Sequence, residues 1–200
     1  MSEENGIPFN TQQNQKGNTD MKWMIVSDLH GSDYYCDCML RAFSEEKAGR
    51  ILSLGDLLYH GPRNDLPKDY APKRVIEKLN SLKEVIINVR GNCEADVDQM
   101  VLEFPVLSDY AILDIDGVNI FATHGHIYHP QSLPPLPKGS VFLYGHTHIP
   151  KKEEVNGILC FNPGSMSIPK MDSWHGYMIF EERTFIWKDF DGKERMRIEV

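Results

Sequence analysis

Lys22 to His30 reads KWMIVSDLH. Its apolar run is the first strong strand signal in the chain, and Asp28-Leu29-His30 stands at the carboxyl end of that strand. Downstream, the helix-like DYYCDCMLRAFSEEK leads to ILSL, then a polar loop, RVIEKLN, EVIINV and VDQMVLEF. Strand, helix, strand, helix is the rhythm of an α/β domain. The later half changes character: AILDI, NIFAT, VFLYG, GILCF, GYMIF, TFIWK and MRIEV are separated by turn signals such as Asp116-Gly117, Asn156-Gly157 and Asp191-Gly192. This half reads as mostly antiparallel β. With no internal repeat and no linker, residues 21–200 read as one mixed α/β (α+β) domain in which helices cover a pair of sheets.

Upstream of that strand, residues 1–20 are rich in Asn and Gln and show no periodicity, so they read as a disordered extension, with Met21 a candidate alternative start. The 200 residues carry 29 acidic and 21 basic side chains, a net charge of -8, which repels a polyanion and makes nucleic acid an unfavoured partner. No apolar run approaches the roughly 18 to 20 residues of a membrane span, and the amino terminus lacks a signal-peptide layout. Four cysteines (Cys36, Cys38, Cys93, Cys160) without CxxC spacing read as reduced thiols, which suits the cytoplasm. The oligomeric state is left open, a homo-oligomer included.

The other apolar runs end as the first one does. ILSL runs into Gly55-Asp56, IINVR into Gly91-Asn92-Cys93, NIFAT into His124-Gly125-His126, and VFLY into Gly145-His146-Thr147-His148. Loops at strand ends are exposed yet rigidly held, which is where ligands gather in open α/β sheets. Five of the eight histidines lie between His124 and His148, where even scattering would place one. Seven of these side chains, carboxylate, imidazole and one amide, make two coherent coordination spheres without a thiolate. Such donors suit Mn²⁺, Fe²⁺ or Zn²⁺ better than Ca²⁺ or Cu⁺. A structural zinc staple draws on closely spaced Cys and His, whereas these donors span 121 positions. Two long loops, LLYHGPRNDLPKDYAPK after Asp56 and IYHPQSLPPLPKGS after His126, read as functional, the second as a stiff rim of the active site.

The series Asp28-x-His30, Gly55-Asp56, Gly91-Asn92, His124-Gly-His126 and Gly145-His146-x-His148 resembles the calcineurin-like metallophosphoesterase superfamily over nearly all of residues 21–164. His60-Gly-Pro-Arg63, Arg90-Gly-Asn-Cys93, Val97-Asp-Gln-Met100 and Asn162-Pro-Gly-Ser165 resemble the bacterial YfcE-type phosphodiesterases within it. The resemblance implies a four-layer α-β-β-α sandwich of two mixed sheets flanked by helices. It implies two divalent ions, manganese foremost, with Asp28, His30 and His148 on one, Asn92, His124 and His146 on the other, and Asp56 bridging. It also implies a small phosphodiester as substrate, with a metal-bridging hydroxide attacking phosphorus in line.

Cys93 departs from this pattern, because many relatives carry histidine there. A thiol is the poorer proton donor, so a catalytic Cys93 should favour stable leaving groups, while a small packing thiol is the alternative. His126 is a candidate to touch substrate or buttress a ligand; Arg63 and His60 are candidates to contact phosphate, with His129 of similar standing. Glu94 stands where relatives often carry Asp: its extra methylene would loosen the arrangement, or Glu94, Asp96 and Asp98 favour the positive start of the next helix, the commoner use of such carboxylates, and none of the three is read as a metal ligand. His175 reads as a surface residue. Two other functions compete: a phosphomonoesterase or nucleotide phosphatase using the same metals, and a non-catalytic protein-binding scaffold like Vps29, which degraded ligands would have favoured.

Overall fold

The computed structural model describes residues 21–200, and the amino-terminal extension lies outside the described residues. Two sheets lie face to face. The first is built from β1 (Trp23–Val26), β2 (Arg50–Ser53), β3 (Ile86–Asn88), β9 (Gly176–Glu181), β10 (Thr184–Asp189) and β11 (Glu194–Glu199), in the order β11-β10-β9-β1-β2-β3. The second has the order β4-β5-β6-β8-β7, from β4 (Tyr110–Ile115), β5 (Val118–Thr123), β6 (Val141–Leu143), β7 (Lys151–Val155) and β8 (Ile158–Asn162). Both sheets are mixed. The expected antiparallel half is antiparallel at its hairpins, but β5-β6 and β6-β8 run parallel inside the second sheet.

Strand alternation assigns each side chain to a layer. Ile25, Leu52, Met178 and Phe180 of the first sheet meet Ile120, Ala122, Val141, Leu143 and Phe161 of the second in the central core. The intervening residues Met24, Val26, Ile51, Tyr177 and Ile179 face the opposite way, against α1 (Asp33–Glu46) and α2 (Pro72–Asn80). Ser32 caps α1 by accepting from the Tyr35 N–H, and a left-handed Lys47 ends it. Pro72 opens α2, where its missing N–H is no loss.

Helices therefore flank the first sheet. Over the second, the fourth layer is a loop: Tyr128, Leu133 and Leu136 cover Phe121, Phe142, Tyr144 and Cys160. The proline-rich segment expected to rim the site is thus mostly a lid on this outer core. The helix expected over VDQMVLEF shrinks to α3 (Asp96–Gln99). Asp116-Gly117 and Asn156-Gly157 make their turns with positive φ at both positions, as two-residue hairpins require. Glu182-Arg183 adopts the same conformation without a glycine. The charged strand β7, KKEEV, carries no apolar signal because it lies on an edge, where lysine and glutamate discourage pairing with other chains.

Candidate metal centre

The parallel strands β1, β2 and β3 of one sheet and β5 and β6 of the other end at the same rim, and the five loops read from sequence meet there. Backbone geometry marks the spot. Asp28, His30, Asp56, His146 and His148 all hold φ between 52° and 64°, the left-handed region that costs an ordinary residue about 1–2 kcal/mol. Five such residues among seven candidate donors concentrate strain where function would use it.

Three imidazoles are oriented by main-chain carbonyls. His30 Nδ1 donates to Tyr59 O (2.7 Å), His124 Nδ1 to Leu54 O (2.7 Å) and His148 Nδ1 to Ile168 O (2.6 Å). A carbonyl only accepts, so the proton sits on Nδ1 and each Nε2 lone pair is turned inward. His148 Nε2 and His30 Nε2 lie 3.2 Å apart, and 3.2 and 3.6 Å from Asp28 Oδ1. Asp56 Oδ2 reaches both sides, 3.7 Å from His30 Nε2 and 3.4 Å from His124 Nε2. Asn92 Oδ1 lies 3.1 Å from His124 Nε2. His146 joins through its ring, 5.1 Å from that of His124, and its N–H donates to Asp28 Oδ2 (3.1 Å). Its donor nitrogens are not among the tight groupings, which are Asp28-His30-His148, Asp28-Asp56-His124 and His30-Asp56-Cys93.

The donor set fits cations. Asp28 Oδ1 is buried without a hydrogen-bond partner, and the groups around it present lone pairs. Burial alone would raise Asp28 and Asp56, but the histidines hold both carboxyls below the usual range. Burial alone would lower His124, yet Asp56 and Asp28 carry it up to about 9. The buried carboxylates thus draw positive charge to this spot, which protons or metal ions can supply. Burial and His124 push His146 down to about 4, leaving it a neutral donor.

A second ring of contacts holds the donors. Glu94 reaches from the Asn92 loop into the Asp56 loop, accepting the N–H of Asp56 (2.9 Å) and Leu57 (2.6 Å) and that of Gly91. Its extra methylene provides this reach rather than loosening the loop. Asp56 Oδ1 accepts from the Cys93 N–H (2.9 Å), and Ser27 Oγ donates to Asp28 Oδ2 (2.6 Å). Ser165 and Ser167 donate to Asp28 O, while Asn162 Nδ2 donates to Gly145 O, so the Asn-Pro-Gly-Ser segment ties two donor loops together. Gly145 is required by proximity: a Cβ there would overlap Ser27 Oγ.

A cavity of about 450 Å³ opens on the donors, walled by His30, Asp56, Asn92, Cys93, His146 and His148, with Arg63 and Lys170 as its cations. Burial and the Asp56 carboxylate push the Cys93 thiol up, so it stays protonated. Arg63 is on the wall; His60 instead packs edge-on between Tyr59 and Tyr70, and only its neighbours Gly61 and Pro62 reach the cavity. His126 lies behind, its ring 5.4 Å from His124, with a buried Nδ1 lacking a partner. His175 is half-buried and stacks on Tyr35 at 4.1 Å, so it is not the surface residue expected. Lys170, Asn64 and Thr147 complete the wall unforeseen. Thr147 lies within Gly145-His146-Thr147-His148, but nothing local marks Lys170, which is brought in by its N–H bond to His148 O.

Comparison with known proteins agrees with this geometry. Residues 21–184 match the family model of the calcineurin-like phosphoesterase superfamily domain. Phosphodiesterase YfcE of Escherichia coli K12 is 46% identical over 150 residues, 75% of this chain and 82% of that protein. Phosphodiesterase MJ0936 of Methanocaldococcus jannaschii is 27% identical over 153 residues, 72% of this chain and 83% of its own. The solved structure of YfcE, a phosphoesterase from E. coli, superposes with a TM-score of 0.87 at 39% identity, covering 90% of this chain and all of that one. Vps29 of Cryptosporidium parvum shares the fold at a TM-score of 0.57 and 18% identity, over 92% of this chain and 100% of its own.

Proposed function

The chain belongs to the calcineurin-like phosphoesterase superfamily, and on that premise we propose that it hydrolyses small phosphodiesters at a dinuclear metal centre. The observation that carries this reading is the convergence of three inward Nε2 atoms on two buried carboxylates, with Asp56 in reach of both sides. Asp28, His30 and His148 would hold one divalent ion, Asn92, His124 and His146 the other, and Asp56 would serve both. When bound, such ions neutralise phosphoryl charge and lower the pKa of water toward neutrality. Manganese is the proposed metal, with iron or zinc compatible with the same nitrogen and oxygen donors.

The protein's own residues do the rest. The Nδ1 bonds to main-chain carbonyls fix each imidazole before substrate arrives, so no reorientation is needed during reaction. Arg63 and Lys170 on the wall bind phosphoryl oxygens and hold phosphorus for in-line displacement of an alkoxide by a water-derived nucleophile. Residues 21–200 act as one catalytic domain. Among the described residues no helix is long and apolar enough to cross a membrane. The four unpaired cysteines support a cytoplasmic location. The intact donor set argues against a purely scaffolding role.

The test is metal-stripped protein reconstituted with Mn²⁺, Fe²⁺, Zn²⁺ or Mg²⁺ and assayed side by side on mono- and diesters. Metal-dependent diester turnover that Asp56→Asn abolishes is the expected result. Turnover insensitive to chelation, or confined to monoesters, would overturn the reading.

A further inference from the structure

Next to the polar cavity lies a second hollow of opposite character. Leu58, Tyr59, Tyr70, Ile76, Val97 and Val101 line most of its 520 Å³, and Cys93 belongs to the walls of both. Its one carboxylate, Asp98, is engaged with the Ala95 N–H at 2.8 Å. Several of these apolar side chains stand in solvent: Tyr59 is 43% exposed, Val97 60% and Val101 41%, with Met100 beside them at 82%. In a chain of net charge -8, this cluster of exposed apolar side chains beside the polar cavity is a candidate contact for an apolar group. Tyr59 is also tied to the centre, since its carbonyl accepts the His30 Nδ1 proton.

A donor-lined cavity with two cations on its wall, adjacent to an apolar hollow across the shared residue Cys93, is complementary to a molecule with a phosphate at one end and a flat apolar group at the other. Resting on the phosphodiesterase reading, we propose that the hollow is a subsite for one ester substituent of the substrate, an aryl-type ring seated against Tyr59, Tyr70, Val97 and Val101. Tyrosine faces suit a planar ring through offset stacking, and the charged phosphate would remain beside Arg63 and Lys170. Specificity would then arise from this apolar wall, while the metal donors treat all phosphates alike.

Calorimetric titration of manganese-loaded protein with phenylphosphonate and methylphosphonate tests this, because each probe carries one substituent and is not hydrolysed. Wild type should bind the phenyl compound about tenfold more tightly, ~1.4 kcal/mol. Val97→Asn and Val101→Asn, both at exposed positions that tolerate polar side chains, should each reduce that preference to threefold or less (~0.65 kcal/mol). Equal affinities in wild type, failure of both probes to bind, or a preference unchanged in both variants would overturn the subsite. Light scattering on the same proteins covers the rival occupant: a dimer that the variants dissociate while the preference stays intact assigns the hollow to a second copy and likewise overturns it. Loss of diester turnover with the phenyl preference intact would sink the hydrolase reading alone.

Discussion

Replacing Glu94 tests whether one carboxylate holds the metal-site loops in register. Glu94→Ala removes the acceptor for three main-chain N–H groups, those of Asp56, Leu57 and Gly91. Hydrogen bonds to a charged acceptor contribute about 1.5–3 kcal/mol each, ordinary ones about 1 kcal/mol. The lower figure applies, because burial and the Asp56 carboxylate push Glu94 up to about 7. A group raised on folding stabilises below its unfolded pKa and loses that contribution as pH rises through the folded value. Three bonds then give about 3 kcal/mol, or a fall in Tm of about 6–12 °C for a domain of this size. Glu94→Gln keeps one oxygen for Asp56 and Gly91 but turns an amide N–H toward Leu57, so its fall should be about 2–4 °C. Thermal melts in chelator read this directly, and titration with Mn²⁺ should show an affinity loss of about 10- to 100-fold for the alanine variant. An alanine variant that melts within about 2 °C of wild type and binds manganese normally would refute the reasoning.

Other perturbations probe separate parts of the molecule. Gly145→Ala forces a methyl onto Ser27 Oγ and should cost about 1–3 kcal/mol together with metal affinity; an unchanged denaturant midpoint would contradict the packing. Glu46 joins α1 to the first sheet through Lys188 (2.6 Å) and the Tyr177 hydroxyl (2.9 Å). Burial opposes its ionised form, but those partners win and lower its carboxyl. Its contribution is therefore present above pH 4.5 and lost as pH falls through the lower folded value. Glu46→Gln should cost about 1–2 kcal/mol at pH 7 and converge on wild type in acid; a difference that grows on acidification would reverse the sign. Cys93→His should raise turnover of diesters with poor leaving groups more than that of aryl esters, since an imidazolium donates a proton more readily than a thiol. Equal effects on both would leave Cys93 a packing residue.

Much was legible in the chain itself because strand ends are local. Each apolar run stops on its own candidate donors, so Asp28, Asp56, Asn92, His124 and His146 could be named without coordinates, as could helical stretches over 33–47 and 74–80, which the structure places at 33–46 and 72–80. Strand β7 escaped because an edge strand's residues answer to solvent rather than to a core. The cover of the second sheet escaped for a related reason: a proline-rich segment has no period, and only the aromatic face of Phe121, Phe142 and Tyr144 decides that Tyr128, Leu133 and Leu136 settle on it.

Residue types and their place at strand ends thus sufficed for the α/β class and for a candidate set of nitrogen and oxygen donors, and the motifs they form carried the resemblance to the family. Only the tertiary structure decided that Lys170 joins Arg63 on one wall, that His60 turns away toward two tyrosines, that Glu94 spans two loops, and that an apolar hollow shares Cys93 with the polar cavity. Each of these depends on a contact between segments distant along the chain, and such contacts are set by how the two sheets and their loops close on one another, a property that no local pattern encodes.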